Sequence, residues 1–158
     1  MKRFLILLAG LACLAPGKAS AQHPDAVTTE IQKFVRAYVD ANNRADVNAM
    51  MEMFGRKAGV VSVGDGELTR GWKAIRAEAN KLVGSQGRYQ ILLGTVDVSS
   101  LGTGYALAIA PYTMTLSSEG GEKVQIRGAL TLVLERFSGS WKIIHEHSSS
   151  GADEAGCL

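Results

Sequence analysis

Two imidazoles stand two residues apart near the C-terminus, His145 and His147 in the run Trp141-Lys-Ile-Ile-His-Glu-His-Ser148, and a phenol, Tyr38, lies far upstream. An imidazole titrates near neutral pH and serves as a general acid or base. A phenol donates a hydrogen bond to a carbonyl oxygen or a developing oxyanion. Residues two apart on a strand share a side, with Cβ atoms roughly 7 Å apart. One histidine can then move a proton while the other orients a ligand. The plainer alternative is that both are paired structural groups at the end of a sheet or at a subunit interface. A metal would need a third ligand, and the nearest loop acids, Asp65 and Glu67, form no ligand-spacing motif with the histidines, so no metal is expected.

The elements that would position these groups follow from periodicity. Ala129 to Phe137 and Trp141 to Ser149 flank Ser138-Gly139, the signature of an antiparallel hairpin with a two-residue turn. Uninterrupted alternation places Leu134 opposite Ile143, Leu132 opposite His145 and Leu130 opposite His147. It also puts Trp141, Ile143, His145 and His147 on the more apolar, inward face. Arg127, Glu146 and Ser148 then belong to the other face, where Arg127 suits an outer-surface or dimer-interface role.

Upstream, Val27, Ile31, Phe34, Val35 and Tyr38 recur at helical steps from Pro24-Asp25 to Asn42, with Asp25 as N-cap. Asp46 caps a second helix with the stripe Val47, Met50, Met51 and Phe54. Val60 to Val63 is a short strand closed by the turn Gly64-Asp65-Gly66. A third helix runs from Trp72 to Val83 and stops at Gly84. Four β segments follow: Tyr89 to Val98, Tyr105 to Leu116, Val124 to Phe137 and Trp141 to Ser149. Pro111 marks a bulge or an edge. Helices first and strands second predict an α+β fold, three helices on one face of a strongly curved, mainly antiparallel sheet, with a pocket at the open end. Trp72 and Tyr112 are candidate ligand-binding walls of that opening.

Met1-Lys2-Arg3, an apolar run to Pro16 and Ala19-Ser20-Ala21 read as a secretory signal peptide over residues 1–21, cleaved after Ala21. Cys13 admits a lipoprotein reading, which Gly10 disfavours. The domain then spans residues 22–151, with a flexible tail at 152–158. Cleavage leaves 137 residues, enough for one core. It also leaves 14 basic against 15 acidic residues. With no basic patch, nucleic acid is not an expected partner, nor is a membrane once the leader is gone. Cys157 is then the sole thiol, so no internal disulfide forms.

The element order, Gly71-Trp-Lys-Ala-Ile75 and the ending Gly139-Ser-Trp-Lys-Ile-Ile-His-Glu-His-Ser-Ser149 together resemble the nuclear transport factor 2-like superfamily. Within it the chain is similar to the SnoaL-like group, and its last strand to the association domain of calcium/calmodulin-dependent kinase type II. The resemblance implies a cone-shaped, cystatin-like fold. In ketosteroid isomerase, an enzyme of this shape, the oxyanion-binding tyrosine matches Tyr38, and an acid starting the second helix matches Asp46. The catalytic aspartate falls on Ser62, which no longer supplies a base, and the second oxyanion acid falls near Leu132 or Val133. With two of its three parts missing, that enzyme's mechanism is not expected here.

The resulting expectation is an exported, secreted or periplasmic protein whose pocket takes a small apolar or carbonyl-containing molecule. His147, His145 and Tyr38 are its candidate catalytic groups, and Trp72, Tyr112 and Ser62 contact the ligand. Any reaction would be cofactor-free lyase, isomerase, dehydratase or cyclase chemistry. The alternative is a non-catalytic binding or association module, a homodimer through the outer sheet face. The sequence alone leaves open which of these holds.

Overall fold

The computed structural model describes residues 25–85, 88–117 and 123–151. The leader, Cys13, Cys157 and the tail lie outside the described residues. Helix α1 (Ala26–Asn43) begins where expected, because the Asp25 carboxylate accepts the Thr28 amide at 2.6 Å. It buries Ile31, Val35, Tyr38 and Val39. Asp46 likewise caps α2 (Val47–Glu52) by accepting from the Ala49 amide at 2.9 Å. Helix α3 spans Trp72–Ser85 and buries Ile75 and Ala79.

Seven strands form one curved, mixed sheet against these helices: β1 (Val61–Gly64), β2 (Glu67–Arg70), β3 (Arg88–Leu93), β4 (Asp97–Ser100), β5 (Tyr105–Ser117), β6 (Lys123–Phe137) and β7 (Ser140–Gly151). Their order is β2-β1-β7-β6-β5-β3, with β4 also on β5. All pairs are antiparallel except β1 with β7. The expected α+β architecture is present, with three differences in the strands. Glu67–Arg70 adds a β2 whose single apolar residue, Leu68, gave no alternation to read. The expected strand from Tyr89 to Val98 is two strands, because the chain breaks away at Gly94, whose amide bonds the Pro111 carbonyl at 2.8 Å. A strand residue's N–H and C=O point to the same neighbour, so the donor that Pro111 lacks falls in the gap between β3 and β4.

The consequential difference lies in β7. Its turn is as expected, with Ser138 and Gly139 at φ 49° and 84° and Phe137 paired with Ser140. Leu134 pairs with Ile143, also as expected, but Val133 then pairs with His145. Ile144 is the extra residue of a β-bulge, and from there the sides exchange. Leu132 pairs with Glu146 and Leu130 with Ser148. Leu132 is fully buried and Leu130 nearly so, which makes theirs the inner face.

Candidate functional site

Because paired residues of neighbouring strands share a side, the bulge turns Glu146 and Ser148 inward and His145 and His147 outward. The expectation that the imidazoles face the interior is overturned. Val61 and Val133 flank His145, and Val63 and Thr131 flank His147. Both histidines lie on the outer sheet face together with Arg127, the reverse of the expected separation. His147 is exposed and His145 half-buried. Among the described residues no three His, Cys, Asp or Glu side chains converge.

What faces inward is a carboxyl group that sequence reasoning placed on the wrong side. Tyr38 donates its phenol to Glu146 Oε1 at 2.5 Å, and Ser62 donates its hydroxyl to Glu146 Oε2 at 2.8 Å. Each donor is fixed in turn. Tyr38 sits on the buried stripe of α1 with its ring edge-on to Phe54, centroids 6.0 Å apart. Ser62 is the β1 residue directly paired with Glu146, so the parallel register delivers hydroxyl and carboxylate side by side. A carboxyl group from the adjacent strand thus stands beside Ser62.

Glu146 lines a cavity of about 470 Å³ between the helices and the concave sheet. Met50, Met51, Phe54, Ile75, Leu93 and Leu130 make much of its wall apolar. Glu146 is half-buried and lines the cavity. Burial therefore pushes its carboxyl above the ordinary 4.5, although the bonds from Tyr38 and Ser62 and the charge of His145 pull it back. Burial first, and then the Glu146 charge, hold the Tyr38 phenol well above its ordinary 10.0. Tyr38 thus remains a neutral donor, and its one proton is engaged by Glu146. It is not free to stabilise an oxyanion directly.

Of the remaining expected residues, Tyr38, Ser62 and Tyr112 line the cavity, whereas Trp72 is not among its lining residues. The Trp72 indole N–H bonds the Met51 carbonyl at 2.9 Å, and the guanidinium groups of Arg56 and Arg76 lie 4.9 and 5.3 Å from its ring. It joins α3 to α2 rather than walling a ligand. The Tyr112 ring passes over Gly128, where a Cβ would collide with it and with the Ser149 carbonyl. Asp65 is the turn residue expected, at φ 46°, and also accepts from the Ser150 amide and hydroxyl at 2.8 and 2.9 Å.

The SnoaL-like domain model matches residues 31–153. The chain belongs to the SnoaL-like domain family. Solved structures bear out the fold of this SnoaL-like protein. A proposed dehydratase of the NTF2-like family from Streptomyces avermitilis superposes with a TM-score of 0.73 at 19% identity, covering 82% of this chain and 99% of that one. A proposed calcium/calmodulin-dependent protein kinase II association domain from Xanthomonas campestris gives 0.68 at 18% identity, over 88% and 94%. A ketosteroid isomerase-like protein from Erwinia carotovora atroseptica gives 0.68 at 18% identity, over 80% and 97%. No curated protein matches this SnoaL-like chain in sequence.

Proposed function

We propose that this SnoaL-like protein binds a small, largely apolar molecule and moves a proton on it with Glu146, without a cofactor. The observation that carries the reading is the Glu146 carboxyl, gripped at both oxygens by Tyr38 and Ser62 on the wall of an apolar cavity. Each carboxylate oxygen retains a second lone pair, so a held carboxylate still accepts a proton from a ligand. Its raised pKa makes it a stronger base when ionised and a usable acid when protonated. Abstraction next to a carbonyl followed by return of the proton to a different carbon is isomerisation, and abstraction followed by departure of a β-hydroxyl that takes the proton back from Glu146 and leaves as water is dehydration. Tyr38 and Ser62 act by positioning Glu146. The likeness to a dehydratase and to an isomerase-like protein supports this class of chemistry.

The N-terminal pattern of basic residues, apolar run and Ala19-Ser20-Ala21 supports export as a separate proposal, the leader being removed after Ala21, which N-terminal sequencing of the mature protein from its own host checks. A second reading, assembly through the outer sheet face, is favoured by the exposed apolar residues Leu92 and Ile109 on that face. It is supported by the association-domain-like neighbour. The two readings are compatible, because cavity and outer face lie on opposite sides of one sheet.

The test of proton transfer uses 5-nitrobenzisoxazole, an activated carbon acid that reports any desolvated carboxylate base. Turnover is expected to rise with pH through a midpoint above 4.5. Glu146→Gln should lower it at least about a hundredfold. Tyr38→Phe, which removes a bond favouring the charged form, should move the midpoint upward. Turnover unchanged in Glu146→Gln would remove the proposal.

A further inference from the structure

Four carboxyl groups line the cavity, on Asp65, Glu67, Glu78 and Glu146, and among the described residues its lining includes no lysine, arginine or histidine. These acids are not spread evenly. Glu146 lies on the sheet wall, whereas Asp65 and Glu67 are exposed residues of the β1–β2 hairpin and so belong to the rim. Glu78 is met by Lys81 at 3.0 Å. Among the described residues, Asp65 receives the neutral donors of Ser150, which orient its carboxylate without cancelling its charge. The rim is therefore negative, the body of the cavity largely apolar, and the far carboxyl occupied by two protein donors.

We propose that the ligand of this cavity is a hydrophobic amine, its apolar body lying toward Glu146 and its protonated nitrogen held at the rim by Glu67 and Asp65. The inference rests on the pocket reading above and adds the charge of the molecule. An anion entering here would lose its water with no cation in the lining to replace it, and would face like charges at both ends. A protonated amine finds opposite charge at the mouth, where it also remains partly hydrated. Its nitrogen at the rim leaves Glu146 free to exchange a proton with the buried end.

Three probes with one ring system separate the possibilities: 1-naphthylmethylamine, 1-naphthalenemethanol and 1-naphthoate, titrated calorimetrically into the protein at neutral pH and low salt. The amine is expected to bind at least about tenfold more tightly than 1-naphthoate, with the alcohol between them. That gap should narrow in Glu67→Gln and in molar salt, because the rim carboxylates are exposed to screening. Leu82→Trp, a bulky change in the cavity lining, should weaken all three. If 1-naphthoate binds as well as the amine while Leu82→Trp still blocks binding, the charge inference fails and the pocket stands. If none of the three binds the unaltered protein, both fall.

Discussion

Glu146 carries its own stability signature, because a carboxyl that is neutral more readily in the folded state than in the unfolded chain ties folding to proton uptake. Its folded pKa lies above the ordinary 4.5, chiefly through burial. The folded protein therefore binds more protons than the unfolded chain between those two values. The corresponding stability is whole below about 4.5 and is lost as pH rises through the folded value. Glutamine at this position keeps an acceptor for Tyr38 and a partner for Ser62 but never ionises. Glu146→Gln is thus expected to melt at a higher temperature than the unaltered protein at pH above the folded value, and at a similar one below 4.5, in paired calorimetric scans. A variant that melts lower throughout would show that the ionised carboxylate, rather than the neutral one, suits the folded site. Activity and stability pull against each other here, since the strain of a buried charge is also what sharpens the base.

One inserted residue in β7 decides which side chains meet the cavity. Ile143 exchanges bonds with the segment after α2, its amide donating to the Met53 carbonyl and its carbonyl accepting from Gly55, whereas His145 onward pairs with β1. Ile144 falls between these two partners and is absorbed as the bulge. The cause is non-local, which is why it was hidden in the sequence. The caps at Asp25 and Asp46 and the turn at Ser138-Gly139 were legible because each is decided within three or four residues. The doublet Ile143-Ile144, two branched aliphatics where alternation calls for one, was the only sequence sign that the phase changes. Uninterrupted alternation turns Glu146 outward and the histidines inward, whereas the structure sets Glu146 against Tyr38 and Ser62 on the cavity wall. Truncation tests this assignment of faces. His147→Ala, on the exposed outer side, is expected to change stability by no more than about 0.5 kcal/mol. Leu132→Ala, fully buried opposite Glu146, should cost about 2–5 kcal/mol in urea denaturation. Similar costs for the two would mean that β7 continues past Ile143 without a bulge.

At the scale of the molecule, the sheet separates two surfaces that do different things. Its concave side is covered by α1, α2 and α3 and keeps a cavity where Glu146 is held. Its convex side carries Ile109 at 41% and Leu92 at 64% exposure, with Val61, Val63, Leu107 and Val133 half-buried beside them. Such an array puts apolar side chains on four strands, interrupted on β7 by His145 and His147, and a second copy laid over it would remove that surface from water. An isologous interface of standard size covers about 800 Å² on each partner, within reach of a face of this breadth. A dimer is therefore expected in sedimentation at tens of micromolar, and Ile109→Asp should convert it to monomer by placing two like charges in a desolvated seam. Because Ile109 points away from the cavity, 1-naphthalenemethanol should bind the variant monomer as it binds the dimer. If the unaltered protein already sediments as a monomer in that range, the convex face has another use. If instead Ile109→Asp abolishes binding while preserving the dimer, the sheet does not insulate its two sides as the register requires.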